Sequence, residues 1–518
     1  MPVLLKKHGF HTADSAKEGA RSGSKHAMRV LFVTSEIATL YKRGGLADVS
    51  YALPVALSQL GVNISVAMPY YESVTTKGVT CVGQLALDYD RRRELVFVFR
   101  ALLPHSHVRA YLFRHPLLNN YDDLHIADRF AFFSKAVAQL SLYSEEMLGG
   151  PYDIIHCNDW HTALIPLLIG EQSKVGYRER PRPLSAAPKA LAGGETIQSK
   201  RVKTILTVHN LLYQGETGSS ITLKLGFPKP LFHPFMTPLG RAVRLLTEGF
   251  EYADKVTTVS PTYAKEIAAG KHGKRVVEVF SRRKDRMIGI LNGLDSKLWD
   301  PRNDPSLPVH YDASTVVSAK RVIKAQLRKA LRLPESEAPL FGFVGRLESR
   351  QKGLDLIARV IKKLAGEAYQ LVLLGTGQKK LVALFERLAA EHKNVVFVHT
   401  FDERLARRIY AGSDVMLVPS KFEPCGLTQL IAMRYGTLPL VRKTGGLADT
   451  VHDGKTGFVF TPYTSTALAD KMKEAIALYH EKPARFEAMT AHVMGLDFSW
   501  QHQVKEYLAL YQSLLKSS

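Results

Sequence analysis

The chain has 518 residues, 46% of them hydrophobic and 23% charged. This composition excludes a fibrous or largely disordered protein, and the length exceeds the roughly 250 to 300 residues of one hydrophobic core, so two domains are predicted. The net charge of +22 favours anionic ligands without choosing among nucleotides, polyphosphates and nucleic acid. Three cysteines without paired spacing give neither a disulfide framework nor a cysteine-based zinc site, and we expect a cytoplasmic protein.

The first 27 residues lack an apolar core, so we interpret them as a disordered extension. From Met28 onward, short β-branched runs alternate with helical periodicity, which indicates βαβ units and mostly parallel sheets. Strands are predicted at residues 30–34, 64–68, 154–157, 205–208 and 256–259, and in a second series at residues 340–345, 370–374, 395–398, 415–418 and 438–441.

The predicted domains are residues 28–300 and 301–497, with a final amphipathic helix in residues 498–518. The proline-containing residues 295–312 are interpreted as the linker, and the proline- and glycine-rich residues 172–200 as a surface loop.

A near-repeat occurs once in each predicted domain. The run Gly-Gly-Leu-Ala-Asp occupies residues 44–48 and again residues 445–449, after basic residues in both places. Paired glycines at the start of a helix let the backbone approach a ligand, and the helix dipole attracts anions there. A tight strand-to-helix turn is the alternative for each copy. The duplication with basic flanks favours two anion-binding turns that face each other across a cleft.

Two further basic residues follow the first strand of the second series. Arg346 is predicted at its carboxyl end, and Lys352 near the start of the next helix. Both charges can meet one diphosphate, because arginine grips phosphate bidentately and lysine acts as a point charge. The alternative is a basic pair that lies at the strand end by chance and binds no ligand.

Glu423 lies in a sharp turn after another apolar strand. Pro424 and Gly426 constrain that turn, so the carboxylate is presented at the sheet edge. There it can bind sugar hydroxyls and oppose the positive charge of an oxocarbenium-like sugar. A helix-capping glutamate is the alternative.

Five segments carry a resemblance to a known family. They are KRGGLADV at residues 42–49, TVHNLLYQG at 207–215, VSPTYA at 259–264, LNGLD at 291–295 and FEPCGLTQ at 422–429. Together they resemble the signature segments of bacterial glycogen synthases and plant starch synthases, over about residues 28–515. The resemblance implies an α/β fold of the GT-B type, with two Rossmann-like doubly wound domains around a central cleft and a final helix that returns to the N-terminal domain.

The same resemblance implies transfer of glucose from ADP-glucose to the non-reducing end of an α-1,4-glucan, with retention of configuration. Glycogen or a maltooligosaccharide is the implied acceptor, and no metal ion or other cofactor, membrane or nucleic acid is expected. The implied catalytic residues are Lys42, His161, Arg346, Lys352 and Glu423. The implied substrate contacts are Gly44, Gly45, Asp48, Asn292, Cys425, Gly426, Leu427, Thr428, Thr444, Gly445, Gly446 and Leu447.

The chain departs from the family pattern in places. Ile431 stands where related retaining transferases often have a second glutamate, so ribose recognition must come from elsewhere. Arg43 stands where threonine is common, and residues 269–283 lack the usual glycine-rich spacing. The triplet at residues 88–90 resembles the metal-binding motif of the other transferase fold, but its position makes chance the better interpretation.

Two other functions stay open on the residues alone. One is a GT-B transferase that forms sucrose, trehalose or a lipid-linked sugar. The other is a polyanion or nucleic-acid binder, suggested by the positive charge. The sequence leaves the oligomeric state and any allosteric control undetermined.

Overall fold

The computed structural model describes residues 27–75, 77–121, 126–142, 150–175, 202–227, 232–233, 235–237, 240–271 and 287–516. The strands are β1 Arg29–Val33, β2 Asn63–Pro69, β3 Thr80–Tyr89, β4 Arg92–Leu102, β5 Arg109–Arg114, β6 Ile154–Asn158, β7 Lys203–Val208, β8 Glu216–Gly218, β9 Phe235–Thr237, β10 Gly240–Arg244, β11 Lys255–Thr258, β12 Met287–Gly289, β13 Leu340–Val344, β14 Gln370–Leu374, β15 Val395–Val398, β16 Val415–Val418, β17 Leu438–Arg442 and β18 Phe458–Phe460. The helices are α1 Gly45–Gln59, α2 Ile126–Leu142, α3 Ile165–Val175, α4 Ile221–Lys224, α5 Leu245–Tyr252, α6 Pro261–Ala268, α7 Val316–Ala330, α8 Leu354–Lys363, α9 Lys379–Glu391, α10 Glu403–Gly412, α11 Thr428–Arg434, α12 Gly445–Thr450, α13 Ser465–Glu481, α14 Pro483–Met494 and α15 Trp500–Lys516.

The N-terminal domain is built on a nine-stranded sheet in the order β12-β11-β7-β6-β1-β2-β5-β4-β3. Of these nine strands, β4 alone runs in the direction opposite to the other eight. The inner strands β1 and β6 are buried along almost their whole length, since helices and loops cover both faces. Parallel strands covered on both faces read as continuous apolar runs, which is why the sequence predicted them closely. A separate small sheet has the order β8-β10-β9.

The C-terminal domain is built on six parallel strands in the order β15-β14-β13-β16-β17-β18. All five strands predicted in this part of the chain are present in it. One continuous apolar core joins this sheet to helices α7 to α11 and α13 to α14. The prediction of two doubly wound α/β units is therefore confirmed, while the boundaries at residues 300 and 497 stay predictions.

Each of the two large sheets has a point at which the connections from adjacent parallel strands leave in opposite directions. In the N-terminal sheet it lies between β1 and β6, and in the C-terminal sheet between β13 and β16. Loops that leave adjacent parallel strands in opposite directions at such a point open a crevice, which is where α/β sheets bind ligands. The four segments that follow these strands contain all five predicted catalytic residues.

The chain crosses between the domains twice, and each crossing segment is held by packing or hydrogen bonds. Helix α15 packs its apolar face on the N-terminal sheet, where Tyr511 Oη lies 2.6 Å from Nδ1 of the buried His156. Residues 295–312, interpreted as a linker, hold to the C-terminal domain through two buried aspartates. Asp304 accepts hydrogen bonds from Arg407 and Tyr435, so the segment is an anchored strap.

Some predictions fall where the chain is not described. The 1–27 extension lies outside the described residues except for its last residue, and so does the loop at residues 172–200 beyond Val175, where α3 ends. Among the described helices, none combines the length and the apolar character needed to cross a lipid bilayer.

Candidate active site

The first Gly-Gly turn forms one wall of the crevice, between β1 and α1. Gly44 is the N-cap of α1, and its amide and that of Arg43 donate to the buried carboxylate of Glu36, at 3.0 and 2.5 Å. Burial raises the pKa of Glu36. Lys42 Nζ lies 2.8 Å from Asp48 Oδ1, and its side chain stays 39% exposed. The lysine can therefore turn to an anion that enters the crevice.

The loops after β6 and β7 form the floor of the crevice beside this wall. Asp159, at a left-handed φ of 55°, accepts hydrogen bonds from the amides of His209 and Asn210, at 2.7 and 3.3 Å. Burial raises the pKa of Asp159 to about 7. His209 Nε2 lies 2.9 Å from Asn158 Oδ1, and burial lowers the pKa of His209 to about 3, so this imidazole is neutral.

His161 lies in an aromatic cage. Its ring stacks on Trp160 at 4.0 Å and meets Phe130 edge-on, and its Nε2 lies 2.8 Å from Tyr121 Oη. The side chain is 5% exposed, and burial lowers its pKa to about 3. Nδ1 is buried without a hydrogen-bond partner in the described structure. These neighbours hold the His161 ring in one position in the floor of the crevice. Its contact with substrate stays a prediction.

Glu423 is the centre of the opposite wall, after β16. Its carboxylate accepts hydrogen bonds from Lys352 Nζ and Ser420 Oγ, both at 2.8 Å, and from Gln351 Nε2 at 3.3 Å. The side chain of Glu423 is 7% exposed and that of Lys352 is 21% exposed. A buried carboxylate with three donors is held in one position, and the partly exposed cation beside it has further donors for a ligand.

The second Gly-Gly turn packs against the backbone of the loop that carries Glu423. Gly446 donates its amide to the carbonyl oxygens of Glu423 and Pro424, both at 3.1 Å. A Cβ at Gly445 would lie 2.0 Å from the carbonyl oxygen of Glu423, so the close approach requires glycine. Arg442, one of the basic flanking residues, donates to the carbonyls of residues 420 and 421. This turn therefore braces the Glu423 loop, and the Gly446 amide is already engaged.

The remaining predicted contacts lie around the same loop. Leu447 and Cys425 are buried, Leu427 and Thr428 are partly buried, and Thr444 Oγ1 donates to Glu266. Gly426 has a φ of +78°, which glycine adopts without strain. Asn292 is buried, and its Oδ1 lacks a hydrogen-bond partner in the described structure.

The two walls meet across the crevice. Asn210 Nδ2 donates to Gln351 Oε1 at 3.4 Å, which links the loop after β7 to the Glu423 wall. At the first turn, a Cβ on Gly45 would lie 3.7 Å from Leu427 Cδ1. The structure therefore brings Lys42, Gly45, Lys352 and Glu423 to one cleft between the domains.

Comparisons with known proteins agree with this architecture. The family model described as "Starch synthase catalytic domain" matches residues 29–181 and 187–282, and "Glycosyl transferases group 1" matches residues 324–492. The "Glycogen synthase" of Desulforudis audaxviator is 36% identical over 94% of this chain and 97% of its own length. That of Caldicellulosiruptor saccharolyticus is 37% identical over 94% of this chain and 100% of its own. This chain belongs to the glycogen synthase family.

A solved structure supports the same family. The catalytic domain of starch synthase IV from Arabidopsis thaliana, bound to ADP and acarbose, superposes with a TM-score of 0.82 at 28% identity, covering 95% of this chain and 100% of that one. The fold is therefore GT-B. A sucrose-phosphate synthase from Thermosynechococcus elongatus, 18% identical with a TM-score of 0.56, shares the fold alone. Family membership favours a glucan synthase over both alternatives left open by the sequence.

In this glycogen synthase family member, the C-terminal wall offers two further groups. Arg346 follows β13 and is exposed at the carboxyl edge of the sheet. Phe401 follows β15 at the same edge and is 79% exposed, an unusual state for a phenyl ring. The loop after β14 lies between them and packs closely on the loop that carries Arg346, since a Cβ on Gly375 would lie 2.0 Å from the carbonyl oxygen of Gly345.

Sequence reasoning missed several residues of this cleft. Glu36 holds the first turn, Asp159 holds the loop after β7, and Asn210 and Gln351 join the walls. Asn210 lies in one of the quoted family segments and Gln351 precedes Lys352, so their positions after strands were visible signals. Phe401 also follows a predicted strand, and an aromatic there was the signal to examine.

Proposed function

We propose that this chain transfers glucose from ADP-glucose to the non-reducing end of an α-1,4-glucan, with retention of configuration and without a metal ion. The observation that carries the proposal is the pairing of Glu423 with Lys352 in a cleft whose other wall presents Lys42. A carboxylate for the sugar and cations for a diphosphate are the two groups that this transfer needs.

The diphosphate of the donor fits between the two walls. Lys42 and Lys352 each rest on a carboxylate in the ligand-free chain, and an ammonium group has three donors. Each lysine can therefore keep its carboxylate and take a phosphate oxygen as well. Exposed Arg346 adds a bidentate donor at the end of β13.

The base of the donor fits beside Arg346. Phe401 presents an exposed ring at the same sheet edge, and a nucleobase that stacks on such a ring gains about 1 to 3 kcal/mol. A purine covers more of the ring than a pyrimidine, which favours ADP-glucose over UDP-glucose. The ADP bound to the starch synthase supports the same choice.

The transfer proceeds on one face of the glucose ring. The bond from glucose C1 to the diphosphate oxygen breaks while the O4 hydroxyl of the glucan forms a new bond to C1 from the same side. The proton of that hydroxyl passes to the departing diphosphate oxygen, so the products are ADP and a glucan longer by one glucose. Lys42, Arg346 and Lys352 stabilise the charge on the leaving group, and Glu423 faces the positive sugar.

The neutral histidines suit this chemistry. His161 and His209 are buried and uncharged, so neither adds a positive charge beside the oxocarbenium-like sugar. Closure of the two walls excludes water and protects the donor from hydrolysis.

The direct test is incorporation of radiolabelled glucose into glycogen from ADP-glucose and from UDP-glucose. We expect faster incorporation from ADP-glucose and an α-1,4 linkage in the product by NMR. Equal or faster incorporation from UDP-glucose would overturn the donor assignment, and a β linkage would overturn retention. Phe401→Ala should raise KM for ADP-glucose while Phe401→Tyr leaves it near the wild-type value.

Metal independence has its own test. Because lysine and arginine side chains meet the diphosphate, treatment with EDTA should leave the initial rate unchanged. Activity that is lost with EDTA and restored by a divalent ion would contradict this part of the proposal.

A further inference from the structure

A contact between α6 of the N-terminal domain and α12 of the C-terminal domain lies beside the cleft. Asp449, in the second Gly-Gly-Leu-Ala-Asp run, accepts two hydrogen bonds from Thr262, from its amide at 3.0 Å and from its hydroxyl at 2.5 Å. Thr444 donates its hydroxyl to Glu266 at 3.1 Å. We call these four residues the α6–α12 brace.

The brace consists of two separate contacts, which fix both the position and the relative direction of α6 and α12. Thr262 and Glu266 are four residues apart on α6, so they lie on one face of that helix. Thr444 is the N-cap of α12, and Asp449 lies near its other end. The start of α6 thus meets the end of α12, and two separated contacts prevent one helix from rotating on the other.

The carboxylate of Asp449 completes the start of α6. Ser260 is the N-cap and accepts the amide of Tyr263 at 2.8 Å, while Asp449 takes the amide of Thr262 from the other domain. An acidic group at a helix N-terminus is stabilised by the exposed amides and by the helix dipole. A charge from the C-terminal domain therefore does part of the capping of an N-terminal helix.

Each helix of the brace is also tied to a loop of the active site. On α6, Tyr263 Oη accepts the amide of Leu211 at 3.2 Å, and Leu211 follows Asn210. On α12, Gly446 donates to the carbonyls of Glu423 and Pro424. The brace thus connects the loop that carries Asn210 with the loop that carries Glu423.

We propose that the α6–α12 brace positions Glu423 relative to the N-terminal wall, with Asp449 as a positioning residue that never touches substrate. This inference rests on the proposed function for the role of Glu423, but the contact itself does not. Loss of the brace should lower kcat more than it weakens ADP binding, because two of the three proposed diphosphate-binding side chains, Arg346 and Lys352, lie together in the C-terminal domain and remain in place.

The first test compares four variants. Asp449→Ala removes both hydrogen bonds to Thr262, and Thr262→Val removes only the hydroxyl. Asp449→Asn keeps one acceptor oxygen for the Thr262 amide, and its Nδ2 can donate to the Thr262 hydroxyl oxygen. Thr262→Ser keeps the hydroxyl, so these two are the matched controls. We expect kcat to fall about tenfold in Asp449→Ala and several-fold in Thr262→Val, and ADP affinity to change less than about threefold. The two controls should lie near the wild type.

A double variant separates the brace from independent effects. If both residues act through one contact, Asp449→Ala combined with Thr262→Val should be no slower than Asp449→Ala alone. Additive losses would overturn the proposal, as would an ADP affinity that falls in step with kcat or wild-type turnover in Asp449→Ala. If Asp449→Ala fails to fold, Thr262→Val against Thr262→Ser decides by the same criteria.

A second test works without turnover. Hydrogen exchange in Asp449→Ala should be about tenfold faster in peptides covering residues 205–213 and 419–429, because both loops lose their connection. Unchanged exchange there would overturn the brace. Faster exchange in a chain that transfers no glucose would leave the brace standing and refute the proposed function instead.

Discussion

The two Gly-Gly-Leu-Ala-Asp turns share their sequence but lie in different surroundings. At the first turn, the atom nearest to a Cβ on Gly44 or Gly45 would be 3.7 Å away, and Asp48 bonds to the partly exposed Lys42. At the second, a Cβ on Gly446 would lie 2.2 Å from the carbonyl oxygen of Cys425, and Asp449 crosses to the other domain. The first turn leaves space beside its glycines, whereas the second supports the loop that carries Glu423.

This difference shows that a glycine pair identifies a tight turn but not its use. The same missing side chains leave open space in one place and admit a neighbouring backbone in the other. Substitutions in each turn and in the adjacent loops should therefore have different effects on activity and stability.

The largest effect is expected at the loop that the second turn supports. Lys352→Ala and Glu423→Gln should each lower kcat by at least about a hundredfold, since one preorganised electrostatic contact is worth about 3 kcal/mol in the transition state. Initial rates at saturating ADP-glucose and glycogen measure this. Near wild-type turnover in either variant would remove that residue from the mechanism.

The pair also has a structural consequence. Lys352→Ala removes the cation beside a buried carboxylate, so its Tm should fall. Adding Glu423→Gln should raise the Tm again while activity stays low. A Tm that the second substitution fails to restore would show that Lys352 stabilises the fold by another route.

The next effect compares one glycine from each turn. Gly446→Ala should cost about 1 to 3 kcal/mol of stability, because its Cβ meets the backbone of Cys425, and should lower kcat by moving the Glu423 loop. Gly45→Ala should leave the Tm unchanged, since alanine suits the first position of α1, and should affect only KM for the donor. Thermal melts measure the contrast, and equal Tm shifts would refute it.

A smaller effect compares the basic flanks of the two turns. Lys42→Ala should weaken ADP binding about tenfold, because a charge-assisted hydrogen bond to phosphate is worth about 1.5 to 3 kcal/mol. Lys443→Ala, at an exposed position before the second turn, should change it less than about twofold. Calorimetric titration with ADP gives both constants. Equal losses would mean that the second turn also faces the diphosphate.

The smallest effect concerns pH. Burial raises the pKa of Glu36 above its ordinary value of 4.5, so the folded chain binds more protons than the unfolded chain between the two values. The contribution of Glu36 to the free energy of unfolding therefore decreases as pH rises through that window. Glu36→Gln lacks this term, so its Tm minus that of the wild type should increase through the window and stay constant above it. A difference that is independent of pH would contradict the role of Glu36 at the first turn.

Much of the fold could be predicted because its strands are buried on both faces. The β13 run has no polar side chain, and β1 is apolar after Arg29. The loops that follow these strands were predicted as ligand-binding because α/β sheets bind ligands where the chain order reverses. The prediction of residues 295–312 as the linker did not include their attachment to the C-terminal domain, because buried Asp300 and Asp304 form ion pairs with residues distant in sequence.

The partners of polar residues were harder to predict for the same reason. Whether Gly446 donates to a ligand or to the Glu423 carbonyl depends on the tertiary distance between two loops. His161 matched a family histidine, but its neighbours Tyr121 and Phe130 come from a distant part of the chain and enclose the ring. The sequence predicted some residues of the cleft, missed others such as Glu36 and Asp159, and left their contacts open.

The most direct measurement is a structure determined with ADP and a maltooligosaccharide. This structure would show whether side chains of both domains bind the same diphosphate. We expect phosphate oxygens within hydrogen-bonding distance of Lys42 Nζ on one wall and of Lys352 Nζ and Arg346 on the other, with Asp449 still bonded to Thr262. A diphosphate held by the C-terminal domain alone, in a closed cleft with Lys42 still paired only to Asp48, would contradict the account.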